Sequence, residues 1–150
     1  MAFPTSYVNG NTVKLGLSNT ITGPNLDSDD FKVALFTDSL GTTDKSAAEN
    51  YGSGVWAANE VTSTNYTAGG KALTNVSTSA AAGNLVVDDS AVDLAWTSVT
   101  FTTRGAAIYN DTTTAASVHA AVNFGSDLDV TDGTFTITWD ATNGLWHFTF

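Results

Sequence analysis

The chain has 150 residues and carries five Lys and Arg against fifteen Asp and Glu, a formal net charge of −10. This length suits a single domain with a sizeable core. The acidic balance argues against a nucleic-acid or anionic-membrane partner, because both select for clustered cations. The chain contains no cysteine, which excludes disulfides, thiolate nucleophiles and cysteine-ligated metals.

Residue usage favours strands over helices. Thirteen of the fifteen acids are Asp and only two are Glu, threonine is abundant, and the helix formers Lys, Glu, Gln and Arg are scarce. Turn signals recur at intervals of about 8 to 12 residues, the spacing typical of sandwiches and barrels. We therefore expect an all-β protein, an antiparallel β-sandwich with a jelly roll as one candidate topology.

The start of the chain, MAFPTSYVNG, has neither a cationic segment nor an apolar core of secretory length. No stretch approaches the roughly 20 apolar residues of a membrane span. We therefore expect a protein made in the cytoplasm and used without Sec export, with no membrane partner.

Residues 1–30 form a polar mixture punctuated by proline and glycine, with one alternating apolar run at Val13, Leu15 and Leu17. This pattern predicts an extended N-terminal arm free to reach a neighbour, followed by a single β-sandwich domain over residues 31–150. A loose terminus is the alternative. Residues 38–54 are predicted to be mainly a long loop, and long loops often carry function.

Four segments before the centre of the chain are expected to be strands. Even-spaced apolar residues predict a strand at Phe31–Phe36. Bulky β-formers between turn signals predict further strands at 55–63, 66–74 and 85–88.

The stretch Leu94–Asn110 is the longest run able to form sheet without a turn signal, and we expect it to be the centre of the fold. Its apolar positions change parity between Trp96 and Val99, and again before Ile108. Keeping them inward requires one β-bulge near Ser98 and another near Gly105.

Two further strand predictions cover the C-terminal third. Residues 115–124 place Val118, Ala120, Val122 and Phe124 on one face, with His119 on the other, wetter face. Residues 134–139 and 145–150 flank a five-residue loop containing Asn-Gly, which predicts a C-terminal β-hairpin.

Catalytic signals are weak. Neither His119 nor His147 lies near a nucleophile motif, and nothing fixes a separation between Glu60 and Asp93 suited to paired-carboxylate chemistry. There is no phosphate loop, dinucleotide fingerprint or metal-spaced histidine pair. We therefore predict that the protein is not an enzyme, with no catalytic or cofactor-binding residue and no cofactor.

Two charged features are interpreted as structural. Asp27, Asp29 and Asp30, and likewise Asp127, Asp129 and Asp132, are oxygen-rich clusters that do not fit an EF-hand loop; we predict no metal site, with calcium as the alternative. Arg104, inside a β-run, is interpreted as a strand residue paired with a neighbouring Asp rather than as a ligand-binding cation.

Several segments together resemble a family of small virion proteins of tailed bacteriophages. These segments are Trp56-Ala-Ala-Asn-Glu60-Val, Tyr66-Thr-Ala-Gly-Gly70-Lys-Ala-Leu73, and Asp93 to Tyr109 with its Arg104-Gly-Ala-Ala-Ile108-Tyr ending. The family pattern also has a Phe-Gly, as at Phe124-Gly125, and an Ile-Thr-Trp ending. The resemblance spans roughly residues 31–150, but residues 63–65 are Ser-Thr-Asn where the family has glycines.

The resemblance implies a structural protein of the virion, most simply a capsid decoration or cement protein on the exterior of the head. Its implied partners are the major capsid protein and further copies of itself, with a trimer favoured. The motifs mark fold glycines and core aromatics and carry no catalytic residue across. A tail or head-fibre role is an alternative. So is a small carbohydrate-binding module that uses exposed aromatics such as Tyr51, Trp56 or Trp146.

Overall fold

The structure is a computed structural model that describes residues 3, 5–9, 25, 28–40, 49–74, 78–81, 84–87, 92–140 and 146–149. For residues 78–81, 84–87 and 146–149 it describes the backbone pairing only. Within these ranges the fold is nearly all β, as predicted, with a single 3-10 turn as its helical element. None of the helical structure in this part of the chain is long and apolar enough to cross a membrane.

The described residues form eight strands in two antiparallel sheets. A five-stranded sheet has the order β1-β7-β6-β2-β3, and a three-stranded sheet has the order β4-β5-β8. The strands are β1 Tyr7–Val8, β2 Phe31–Phe36, β3 Lys71–Leu73, β4 Thr78–Ala81, β5 Asn84–Val87, β6 Leu94–Asn110, β7 Val118–Ile137 and β8 Trp146–Thr149, and the 3-10 helix is Gly54–Ala57.

The hairpin of β6 and β7 dominates the larger sheet. The pairing of the two strands shifts at four places, two of them between Trp96 and Val99 and between Thr103 and Gly105. Ser98 has a left-handed backbone, with φ of 52°. The bulges predicted near Ser98 and Gly105 are thus confirmed, and they explain how apolar residues of changing parity stay buried.

The hairpin divides into two halves at the shift between Thr103 and Gly105. In what we call the proximal half, residues 105–110 and 118–123, β6 also pairs with β2 and β7 with β1. In the distal half, residues 94–104 and 124–137, the described strands pair only with each other.

The sheet is buried on both faces in its proximal half. Alternate residues of β2 enter two different apolar clusters: Phe31, Val33 and Leu35 enter one, and Ala34 and Phe36 enter the other. All five are fully buried. A strand covered on both faces loses the alternation of apolar and polar residues. This explains the continuous run FKVALF, whose one cation, Lys32, is half-buried.

Two expected strands are wrong in extent. Residues 55–63 contain the 3-10 helix and an isolated bridge between Glu60 and Phe36 rather than a strand. Of residues 66–74 only Lys71–Leu73 is a strand, because Tyr66 closes a short turn with Ser63 and the Gly69-Gly70 pair takes positive φ. The predicted strand at 85–88 is confirmed as Asn84–Val87.

The predicted C-terminal hairpin is not formed between the described residues. Phe135 pairs with Trp96 and Ile137 with Leu94, whereas Trp146–Thr149 pairs with Asn84–Val87 in the smaller sheet. Residues 118–137 form one long strand. A local turn signal such as Asn-Gly does not show that the two flanking segments pair with distant strands, here β6 and β5, instead of with each other.

His119 is buried, at 3% exposure, so its expected position on a wetter face is wrong. Tyr109 pairs with Val118 and Ile108 with Ala120, which leaves His119 as the extra residue of a bulge. The bulge breaks the alternation, and consequently Val118 and Ala120 enter different clusters.

The described part of the N-terminal segment packs against its own chain. Tyr7 and Val8 pair with Ala121 and Ala120 at the edge of the larger sheet, and Phe3 is 4% exposed. The strand expected at Val13, Leu15 and Leu17 and most of the predicted arm lie outside the described residues.

Candidate functional site

The N-terminal segment, predicted to reach a neighbour, and the 38–54 loop, predicted as a site of function, meet at one carboxylate. Glu49 accepts hydrogen bonds from the Tyr7 hydroxyl at 2.8 Å and from the Trp56 indole Nε1 at 2.9 Å. The Glu49 carbonyl accepts a third bond from the backbone N–H of Val118. Glu49 therefore joins the N-terminal segment, the loop and β7 at a single point.

Phe3 is the apolar counterpart of this junction. Its ring contacts Trp56 edge-on, with centroids 6.3 Å apart, and its backbone N–H donates to Asp38 Oδ1 at 2.8 Å. A Cβ at Gly105 would lie 2.5 Å from the Phe3 ring and 2.4 Å from the Val122 carbonyl. Glycine is thus needed at position 105 because the N-terminal segment crosses β6 in close contact there.

Glu60 is the centre of a second, tyrosine-rich cluster. Its Oε2 accepts from the Tyr51 hydroxyl at 2.6 Å, and its Oε1 accepts from the Tyr66 hydroxyl at 2.7 Å and the Gly69 N–H at 2.8 Å. The Tyr109 hydroxyl donates to the Gly69 carbonyl, and its ring stacks on Tyr51 with centroids 4.3 Å apart. The three hydrogen bonds to the Glu60 carboxylate are charge-assisted, and such bonds are among the stronger ones in proteins.

The protonation of these tyrosines limits what the cluster can do. Burial, followed by the hydrogen bond to Glu60 and its negative charge, raises the pKa of Tyr51 above the ordinary value. Burial also raises the pKa of Tyr66 and Tyr109. All three hydroxyls stay protonated at neutral pH and act as donors, so none of them can serve as a general base there.

Next to the Glu60 cluster, the backbone at Gly70 lies close against the backbone of β2. Gly70 has φ of 72°, and a Cβ there would lie 1.8 Å from the Val33 carbonyl. The Tyr66 hydroxyl also accepts from the Leu35 N–H at 2.9 Å. The cluster therefore fixes the turn at 66–70 against β2, which is a structural task.

The other candidate residues do not converge on a site. Asp93 accepts from the Thr138 hydroxyl and the Trp139 N–H, and so has no partner in common with Glu60. Burial lowers the pKa of His119 to about 4, which leaves it neutral at physiological pH, and its ring contacts Phe31 edge-on. The side chain of His147 lies outside the described residues.

Arg104 pairs with two acids, as its interpretation as a structural strand residue predicts. Its guanidinium lies 3.8 Å from Asp38 and 3.5 Å from Asp127. Asp129 accepts from the Thr102 hydroxyl instead, and Asp29 accepts from the Asn110 side chain. Within the described ranges no group of three or more His, Asp or Glu could hold a metal ion, and Asp27 lies outside them.

Sequence reasoning missed Glu49 and underestimated Glu60. Both were visible as the only two glutamates among fifteen acids, in a chain where Asp occupies the turns. The Tyr7 hydroxyl that donates to Glu49 is 42 residues away in the sequence, so no local motif marked that contact. Tyr51 and Tyr66 are nearer to Glu60, but their spacing from it fits no recognised motif of catalysis or metal binding.

The motif residues quoted above come together in the structure. Glu60, Tyr66, Gly69 and Tyr109, which belong to three separate segments, are joined by hydrogen bonds. The pattern thus marks one junction between three segments of the fold.

No protein-family model, curated protein or solved structure matches the chain.

Proposed function

We propose that the protein is a non-enzymatic structural component of a tailed-phage virion, most simply a decoration or cement protein bound to the exterior of the head. In this role the domain binds the major capsid protein, with a trimer as the favoured assembly, and needs no cofactor. The bacterial cytoplasm is where it is made.

The observation that carries this proposal is that the candidate reactive side chains make contacts within the fold. Glu49 and Glu60 are occupied by hydrogen bonds that join separate segments of the fold. His119 is buried and neutral, and Arg104 is paired with two acids. These four residues are thus engaged in contacts within the fold, which fits a scaffold better than an active site. The resemblance supplies the virion context.

A carbohydrate-binding module fits the aromatic residues less well. Sugar platforms need aromatic faces open to solvent. Trp56 is 2% exposed and lies against Phe36 and Phe3. Tyr51 is half-buried and stacked on Tyr109, and the side chain of Trp146 lies outside the described residues.

Counting copies in purified particles tests the proposal. Virions freed of loose protein are analysed by quantitative mass spectrometry against the major capsid protein, and the density on the head is examined by electron microscopy. Hundreds of copies on the head surface are expected. Absence from the particle overturns the virion proposal, and a few copies at the tail replace the decoration role with the tail alternative.

A further inference from the structure

Within the part of the chain that the structure describes, no strand pairs with the outer edge of the distal half of β7. β7 pairs with β6 along its length. Among the described residues its other edge is hydrogen-bonded only in the proximal half, by β1 at Ala120 and Ala121 and by neighbouring residues of the N-terminal segment and the loop at Val118, His119 and Asn123. No described strand lies along residues 128–137 on that side. Most side chains of this segment are exposed. An open strand edge presents unpaired N–H and C=O groups that can pair with another strand.

The two faces beside this edge differ in chemistry. Asp127 and Asp129 lie on one face, since their partners Arg104 and Thr102 are two residues apart on β6. Leu128 and Val130 lie on the other face.

The apolar face of the edge is incompletely covered. Val130 packs against the core, but Leu128 is 36% exposed and is one of two exposed large apolar side chains among the described residues. A strand added here would place alternate side chains beside the acids and beside Leu128.

We propose that this edge is a docking site for an extended segment of another protein in which basic and apolar residues alternate. The main chain of the segment would extend the sheet, its Lys or Arg side chains would lie beside Asp127 and Asp129, and its apolar side chains would cover Leu128. The proposal goes beyond the virion role, because it concerns binding by the isolated domain.

Charge selects this occupant over a second copy of the chain. Pairing two copies through the same edge would bring the Asp row of one beside the Asp row of the other, and like charges across strands are destabilising. Acidic side chains on an edge are also a common protection against self-association. The same charges attract a cationic strand.

Peptide binding to the full chain tests the site. The probe is a short fluorescent peptide of alternating Lys and Val, measured by anisotropy, with a Glu-Val peptide as the charge control. Two further Lys-Val peptides carry N-methyl groups on alternate residues, in opposite phase. The Lys-Val peptide should bind, and one N-methylation phase should weaken binding about tenfold or more, because only one phase faces the sheet.

A matched pair of variants locates the binding. Asp129→Asn should weaken binding about two- to fivefold, because one edge charge is lost. Asp30→Asn makes the same change in net charge at an exposed acid beside Asp111, at the other end of β6, and should have no effect. Circular dichroism confirms that both variants are folded.

Three outcomes of the peptide assay overturn the proposal: absence of saturable Lys-Val binding, equal binding of the two N-methylated peptides, or equal effects of Asp129→Asn and Asp30→Asn. A dimer in light scattering that Asp129→Asn strengthens assigns the edge to a second copy and also overturns it. The particle count given above is independent of all these results, so failure of one proposal is distinguishable from failure of the other.

Discussion

The two halves of the β6–β7 hairpin share the same two strands but differ in what covers them. The proximal half is buried on both faces and flanked by β1 and β2. The distal half buries Trp96, Phe101 and Phe135 on one face and exposes threonines and aspartates on the other. One continuous strand pair thus supplies both the buried centre of the described fold and a polar edge with which no described strand pairs. Whether a residue of β6 or β7 is buried on both faces or lies at the polar edge depends on its position along the strand.

The largest difference in unfolding free energy is expected between two glycine-to-alanine variants, at Gly70 and at Gly125. Gly70→Ala should cost on the order of 4 kcal/mol or prevent folding, because the new Cβ meets the Val33 carbonyl and the residue has positive φ. Gly125→Ala, in the distal half, also has positive φ, but a Cβ there has open space. It should cost only about 1 to 2 kcal/mol. Urea unfolding measures both, and equal costs would contradict the comparison.

The next largest difference is expected between two leucine-to-alanine variants, one in β2 and one at the distal edge of β7. Leu35→Ala removes a fully buried side chain of β2 and should lower the free energy of unfolding by about 2 to 5 kcal/mol. Leu128→Ala acts on a side chain that is 36% exposed and should cost less than about 1 kcal/mol. Thermal unfolding in parallel provides the measurement. A large cost at Leu128 would show that the distal edge is covered in solution.

The buried histidine should make the proximal half sensitive to acid. The pKa of His119 is lowered by burial from 6.5 to about 4, with the negative charge of Asp29 opposing this shift. The unfolded chain therefore binds the proton first, and stability is lost as the pH falls from 6.5 to about 4. The loss should be on the order of 1 to 3 kcal/mol.

Comparison with His119→Gln isolates this effect from the titration of carboxylates. The difference in unfolding free energy between wild type and variant should change over this pH range and level off below it. A difference that stays constant with pH would mean that His119 is accessible to protons in the folded state.

The smallest expected effect comes from the two carboxylates that the sequence suggested as a catalytic pair. Glu60→Gln should cost about 1 to 2 kcal/mol, because an amide nitrogen replaces one of the two oxygens that accept hydrogen bonds. Asp93→Asn, on an exposed side chain, should cost less than about 1 kcal/mol. Urea unfolding distinguishes them, and the opposite order would contradict the role given to Glu60.

A spectrophotometric titration gives a second readout of Glu60. The pKa of Tyr51 and Tyr66 is raised from 10.0 by burial and by Glu60, so stability is lost as the pH rises above about 10. In Glu60→Gln the negative charge is gone, and these tyrosines should ionise at lower pH than in the wild type.

Local features of the fold could be predicted where the spacing of apolar residues within one segment is enough to define them. The even spacing of Phe31–Phe36 predicted β2, and the parity changes in Leu94–Asn110 predicted the bulges at Ser98 and Gly105. These features follow from the two-residue period of a strand and need no knowledge of its neighbours.

The rest depends on contacts between distant segments. The burial of His119 results from a bulge set by the register against β6, and the pairing of β8 with β5 joins strands about 60 residues apart in the sequence. The Glu49 and Glu60 clusters likewise need the loop to fold onto the sheet before their partners meet. Composition predicted the class of fold, but not these junctions.

Amide hydrogen exchange is the most direct test of the contrast between the halves. In the isolated domain, amides of residues 105–110 and 118–123 should exchange only at the rate of global unfolding, because both of their faces and both of their edges are covered. Alternate amides of 128–137 on the outer edge of β7 should exchange orders of magnitude faster. Uniform protection across both halves would contradict the account, since it would mean that the distal edge is already covered.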